Sequence, residues 1–205
     1  MFSNLLLRIF RIYVNSLKWD YFMFELFRVF FVSALFCLLS FSASAWSLQE
    51  FIDELKVNVK DTWNCGKPSL YIPVYAWHNR LTYDQKHIDK YNENPWGLGV
   101  GKSLYEGKNW HGLYAMAFKD SNDYAETFFG YAFIKNHSLN EEDTFRVGYG
   151  YTLGVTQRHE YKYIPVPLPL PIASMSYRNF SINAAYVPGV KNDGNVLFSW
   201  LKIDF

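Results

Sequence analysis

Apolar and polar positions follow two different rhythms along this chain. In "WSLQEFIDELKVNVKDTWN", Leu48, Phe51, Ile52, Leu55, Val59 and Trp63 recur at steps of three and four. Glu50, Asp53, Glu54, Lys56, Lys60 and Asp61 fill the opposite face, so 46–64 is predicted to be an amphipathic helix. Such a helix either packs on a globular core or lies in a membrane interface. After Pro68 the period drops to two, and eight strand-like segments follow: 71–78, 95–105, 109–120, 126–136, 144–157, 170–178, 179–188 and 195–205.

Each segment is about the length a tilted strand needs to cross a bilayer. The connections alternate between longer (79–94 long, 121–125 moderate) and tight (Glu106-Gly107-Lys108, Arg178-Asn179), as in an outer-membrane barrel with longer outer loops and short periplasmic turns. "NHSLNEED" is longer than that rule favours. The last segment, "NVLFSWLKIDF", sets Leu197, Leu201, Ile203 and Phe205 on one face and ends on an aromatic. The predicted fold is all-β: an eight-stranded antiparallel transmembrane β-barrel over 69–205, preceded by the amphipathic α-helix. A soluble closed barrel of the lipocalin kind is the competing reading.

Strand parity says what the barrel holds. In "TFRVGYGYTLGVT", bulky Phe145, Val147, Tyr149, Tyr151, Leu153 and Val155 alternate with Arg146, Gly148, Gly150, Thr152 and Gly154. "WGLGVG" repeats the scheme, and Gly130 and Ala132 oppose Tyr131 and Phe133. The bulky set belongs outside and the small set inside. Inward glycines either relieve crowding or leave a cavity, and their clustering on several strands favours a cavity. With inner positions small or apolar apart from Arg146, that cavity suits a hydrocarbon chain. Pro73, Pro95, Pro171 and Pro188 fall in or at the ends of strands, where the missing N–H weakens pairing. They either mark strand ends or open two lateral gaps.

Composition supports a barrel in lipid. Aromatic residues make up 20% of the 205 residues, and the net charge of +1 gives no hint of nucleic acid as a partner. The stretch "MFELFRVFFVSALFCLLSFSASA" reads as a signal peptide with cleavage after Ala45, so 1–45 is an address, and 1–22 is a possible extension ahead of a start at Met23. Cleavage removes Cys37 and leaves Cys65 alone, which excludes an internal disulfide.

If the helix and Phe205 are periplasmic, the first strand runs outward and His78, Asp120 and Ser121 all surface at the external rim. Arg158 emerges there too, and His87 and His159 lie on outer loops as competitors. His111 and His137 fall at the opposite end. A histidine, a carboxylate and a hydroxyl at one rim suit acyl transfer, although adjacent strand residues point to opposite faces and need not form a triad.

"LYIPVYAWHNR", "DKYNENPWG", "NWHGLYAMAFKDS", "YIPVPLPLPIAS" and "YVPGVKNDGNV" resemble, in order, segments of the lipid A palmitoyltransferase (PagP) family. The resemblance implies an outer-membrane acyltransferase moving a palmitoyl chain, or one of similar length, from a glycerophospholipid to lipid A. Its catalytic rim would face outside the cell. No metal constellation appears in the sequence, the acyl ester itself supplies the driving group so that no cofactor is expected, and nothing demands more than a monomer. The resemblance implies His78 as general base, with Asp120 and Ser121 as positioning or oxyanion-stabilising groups. It also implies lateral entrances at Pro171/Pro188 for the phospholipid and Pro73/Pro95 for lipid A, and the helix as a periplasmic clamp. Gly130 and Ala132 would bind the acyl chain. Where the family's cavity floor is typically glycine, this chain has Ala132, whose methyl should shorten the well by about one methylene. A non-enzymatic structural barrel and a lipid A deacylase are the alternatives.

Overall fold

The structure is a computed structural model that describes residues 48–205; the predicted signal segment lies outside the described residues. Helix α1 (Leu48–Cys65) leads into β1 (Lys67–His78), a short α2 (Gln85–Ile88), then β2 (Gly97–Glu106), β3 (Asn109–Lys119), β4 (Ala125–Ser138), β5 (Phe145–Arg158), β6 (Val166–Tyr177), β7 (Phe180–Val187) and β8 (Val196–Asp204). Each strand pairs antiparallel with the next, and β8 pairs with β1, so the sheet closes as an eight-stranded barrel. The predicted fold class stands. One end carries the tight connections and α1 (the turn end); the other carries the β1–β2, β3–β4, β5–β6 and β7–β8 connections (the loop end).

Period two sorts the side chains as expected. Leu98, Val100, Phe129, Tyr149, Met175 and Ile182 stand exposed on the outer wall, while Tyr71, Tyr114, Phe128, Ile134, Ile172 and Trp200 pack in the lumen. The inward glycines, however, answer mainly to crowding. A Cβ on Gly150 would run into the Phe133 carbonyl, and one on Gly154 into the Phe128 ring. Glycine there lets neighbouring strands and lumen rings approach closely, and the cavity lies nearer the loop end.

The turn half of the lumen is polar, contrary to the expectation of a small or apolar interior. Lys202 is buried, with its ammonium 2.5 Å from Asp204 Oδ2 and 3.1 Å from Tyr105 Oη. Ser69 donates to Asp204 at 2.8 Å, and Trp110 Nε1 to Ser103 at 3.0 Å. An ion pair whose remaining donors and acceptors are satisfied can plug the narrow end of a small barrel. Arg146 instead turns to Asp143 at the rim.

Two ladders are incomplete at the loop end. β1 and β2 pair only from Lys67↔Ser103 to Tyr71↔Gly99, and a bulge lies between Pro73 and Tyr75 where β1 meets β8. β6 and β7 pair only from Ile172↔Ala185 to Tyr177↔Phe180. Prolines at 167, 169 and 171 explain the second gap. Alternate residues of a strand address the same neighbour, so these three strip the β7-facing edge of N–H donors while β5 still pairs. Outside the wall, α1 packs against β2 and β3, and Lys102 donates to the Trp63 carbonyl at the helix C-terminus.

Candidate active site

β1 ends at the loop end on His78, which is 2% exposed. Its ring lies near-parallel to Tyr91 at 4.9 Å and edge-on to Tyr83 at 5.1 Å, so its rotation is restricted on both sides. Nε2 lies 3.0 Å from Ser121 Oγ, and Nδ1 lies 3.0 Å from Glu93 Oε1.

Ser121 follows the end of β3 in a loop organised by its neighbour. Asp120 Oδ1 accepts from the amides of Asn122 (2.8 Å) and Tyr124 (3.0 Å), and the Asp120 amide donates to the Tyr124 carbonyl. The Asn92 amide donates to the Ser121 carbonyl, tying this loop to the β1–β2 connection. Asp120 therefore shapes the loop that carries the hydroxyl and makes no hydrogen bond to His78. Its other oxygen, buried and without a hydrogen bond, faces Arg158 Nη2 at 3.8 Å. Arg158 also sits 3.3 Å from Glu160 and 3.8 Å from Glu126, so its charge is answered by three carboxylates.

Sequence reasoning missed Glu93. From the segment ahead of β2, its carboxylate takes the His78 amide (3.0 Å), Tyr75 Oη (2.8 Å) and Arg80 Nη1 and Nη2 (2.5 and 2.6 Å). The Arg80 guanidinium holds the Glu93 carboxyl well below the usual carboxylate range, helped by the His78 and Tyr75 donors. Burial pushes the Tyr83 phenol up, so it stays neutral as a donor to the Gly194 carbonyl at 2.6 Å. No periodicity marks this residue in the sequence; only the fold brings the segment ahead of β2 back over the end of β1.

Below the His78–Ser121 pair opens a well of about 310 Å³, walled by Met116, Phe118, Phe128, Leu168, Leu170 and Trp200 and bottomed by Tyr114 and Thr152. Pro95 and Pro188 line it at the mouth. The remaining predicted contacts lie around it. Pro73 pairs with Trp200 beside the bulge, Pro171 pairs with Tyr151 next to the β6–β7 gap, Gly130 pairs with Tyr114, and Ala132 is fully buried opposite Thr152 and Gly112. His87 pairs with Asp84, His159 stacks on Tyr124, and His111 bonds Tyr131 Oη at the turn end, so none of them reaches Ser121. Among the described residues no cluster of His, Cys, Asp and Glu is arranged to hold a metal ion.

Together these features define a class: a closed antiparallel β-barrel that holds an apolar well, with a histidine–serine pair at the well's mouth. The family described as "Antimicrobial peptide resistance and lipid A acylation protein PagP" matches residues 58–202, and the chain belongs to it. It is 49% identical over 156 residues to "Lipid A acyltransferase PagP" of Proteus mirabilis, covering 75% of this chain and 74% of that protein. The proteins of the same name from Photorhabdus asymbiotica (51%, covering 71% and 70%) and Cronobacter turicensis (44%, covering 87% and 95%) are also similar. Among solved structures, Neisserial surface protein A overlaps 67% of this chain and 95% of its own at a TM-score of 0.36 and 10% identity.

Proposed function

We propose that this protein is an outer-membrane enzyme that transfers a palmitoyl chain, or one of similar length, from a glycerophospholipid to a hydroxyl of lipid A, with the loop end facing outside. The observation that carries this reading is the His78 Nε2–Ser121 Oγ contact of 3.0 Å at the mouth of a hydrocarbon-lined well, in a chain of this family. The donor's acyl chain occupies the well, which brings its ester carbonyl to the rim. The acceptor hydroxyl attacks that carbonyl as its proton passes across Ser121 to His78 Nε2. The tetrahedral intermediate then collapses, and His78 returns the proton to the departing lysophospholipid oxygen. One ester is broken and one formed, so no cofactor is required. Asp120, accepting two loop amides, serves as a positioning residue for Ser121.

The lateral gaps suit substrates that live in a bilayer. Drawing an acyl chain through water costs about 0.8 kcal/mol per methylene, whereas passage from lipid into an apolar well is near neutral. The β6–β7 gap beside Pro171 and Pro188 serves the phospholipid, and the β1–β2 gap beside Pro73 and Pro95 serves lipid A. The exposed apolar outer wall and the exposed apolar residues of α1, Leu48, Val57 and Trp63, fit the same setting.

Mass spectrometry of lipid A from a Gram-negative host lacking its own family member tests the proposal. Expression should add one acyl residue, and Ser121→Ala or His78→Ala should abolish the gain. Loss of a chain would identify a deacylase, and an unchanged lipid A would identify a structural barrel.

A further inference from the structure

We infer that Glu93 is the positioning carboxylate of this site: it fixes the tautomer and ring orientation of His78 so that Nε2 presents a lone pair to Ser121. The inference rests on His78 being the base. An ionised carboxylate only accepts hydrogen bonds, so at 3.0 Å from Glu93 Oε1 the neutral imidazole must carry its proton on Nδ1. Nε2 is then unprotonated, and the Ser121 hydroxyl 3.0 Å away is its donor. Asp120 cannot play this part, because its hydrogen bonds go to loop amides.

Glu93 is held more firmly than a surface loop residue. Its carboxylate takes two guanidinium nitrogens, a phenol and the His78 amide, and its carbonyl accepts from the Ala76 amide at 2.9 Å. That last bond spans the stretch where β1 has lost its ladder to β2, so Glu93 anchors the end of β1 and the imidazole it carries. Its side chain is 14% exposed, and Arg80 keeps it ionised. The other titratable groups around the ring or lining the same well are Tyr83, Tyr91, Tyr114, Lys119, Asp120, Glu126, Arg158, Glu160, Tyr161 and Asp193.

The test compares the full barrel with Glu93→Gln and Glu93→Ala in phospholipid nanodiscs. Nitrogen-15 spectra of the His78 imidazole read the tautomer without reference to activity. The wild type should be protonated on Nδ1 when neutral, and Glu93→Ala should shift the population towards Nε2–H. Initial rates should show kcat falling about 10²-fold in Glu93→Ala and less in Glu93→Gln, with KM within about twofold. Loss of the carboxylate beside Arg80 should also move the ascending limb of the pH profile to lower pH by about one unit. A residue that merely braced the loop would leave both tautomer and limb in place. A wild-type imidazole protonated on Nε2, or a Glu93→Ala kcat within twofold of wild type, overturns the inference. Should Glu93→Ala not assemble, Glu93→Gln decides by the kcat and pH criteria. If His78→Ala itself retained transfer, the base assignment would fail while the nitrogen spectrum still settled the Glu93 contact.

Discussion

Tyr114 Oη and Thr152 Oγ1 lie 2.6 Å apart, a bond from β3 to β5 that crosses the bottom of the apolar well. The Tyr114 ring is stacked between Tyr71 at 5.1 Å and Phe128 at 5.7 Å, so it is held as part of the wall. Ala132 stands opposite Thr152 in register but does not line the well. Tyr114 therefore closes the bottom of the well, and Ala132 is buried outside its lining, opposite Gly112 and Thr152.

Two substitutions separate these contributions. Tyr114→Leu shortens the side chain while keeping an apolar core, and should shift transfer towards longer chains. Ala132→Gly should lengthen the accepted chain by about one methylene, because a close-packed interior passes on a methyl's worth of space. A misfit of one methylene is worth about 1–3 kcal/mol of discrimination, enough to move the acyl profile visibly in a mass spectrum of lipid A. Unchanged profiles in both variants would mean that depth is set elsewhere.

Asp120 holds the loop that carries Ser121, and in the proposed transfer it would act through that loop. Asp120→Asn keeps an oxygen to accept the Asn122 and Tyr124 amides, whereas Asp120→Ala leaves both without a partner. Initial rates should show the alanine variant losing about 10²-fold in kcat and the asparagine variant clearly less, in line with the cost of misplacing a reacting group by about 1 Å. Equal losses would point to the charge of Asp120, rather than its loop contacts, as what matters.

The period-two pattern made the barrel legible because one wall faces outward and the other inward along every strand. His78 and Ser121 could be placed at one rim by counting strands, which fixes the end of the barrel but no distance. Two features were beyond that reach. Lys202 has the inward parity, yet its ion pair with Asp204 comes from residues two apart on one strand, and parity carries no sign of such pairing. Glu93 sits in a connection without periodicity, and only the three-dimensional fold brings it back onto the end of β1. The glycines could be placed inward but not explained. Whether a missing side chain makes a cavity or admits a neighbour depends on how closely strands and rings approach, and register alone does not give that.

Acid should reveal how tightly Glu93 is held. Its folded-state pKa is depressed, so its contribution to stability is fully present above the ordinary glutamate value of about 4.3 and is lost only as pH falls through the lower folded value. Amide exchange over 89–94, corrected for the intrinsic rate, should stay slow from neutral pH down to about 4 and loosen only below that. Glu93→Gln should exchange faster at neutral pH and vary little with acid. Loosening of the wild type already at pH 5 to 6 would contradict the depressed value.

The Lys202–Asp204 pair at the turn end gives a stability test independent of the loop-end site. Lys202 is 1% exposed, and its ammonium is 2.5 Å from the carboxylate, which also accepts from Ser69 and Tyr105. Asp204→Asn removes the counter-charge of a buried ammonium and should cost about 3–5 kcal/mol. Lys202→Met should cost less, because Asp204 keeps two hydroxyl donors after the ammonium is gone. The double variant should be less destabilised than the sum of the singles, since it leaves neither charge stranded. Urea unfolding in detergent micelles measures all three. Transfer activity per folded barrel should stay near wild type throughout, because the pair lies at the end away from His78. Strict additivity would show that the two charges contribute separately and that the plug is held by its hydroxyls.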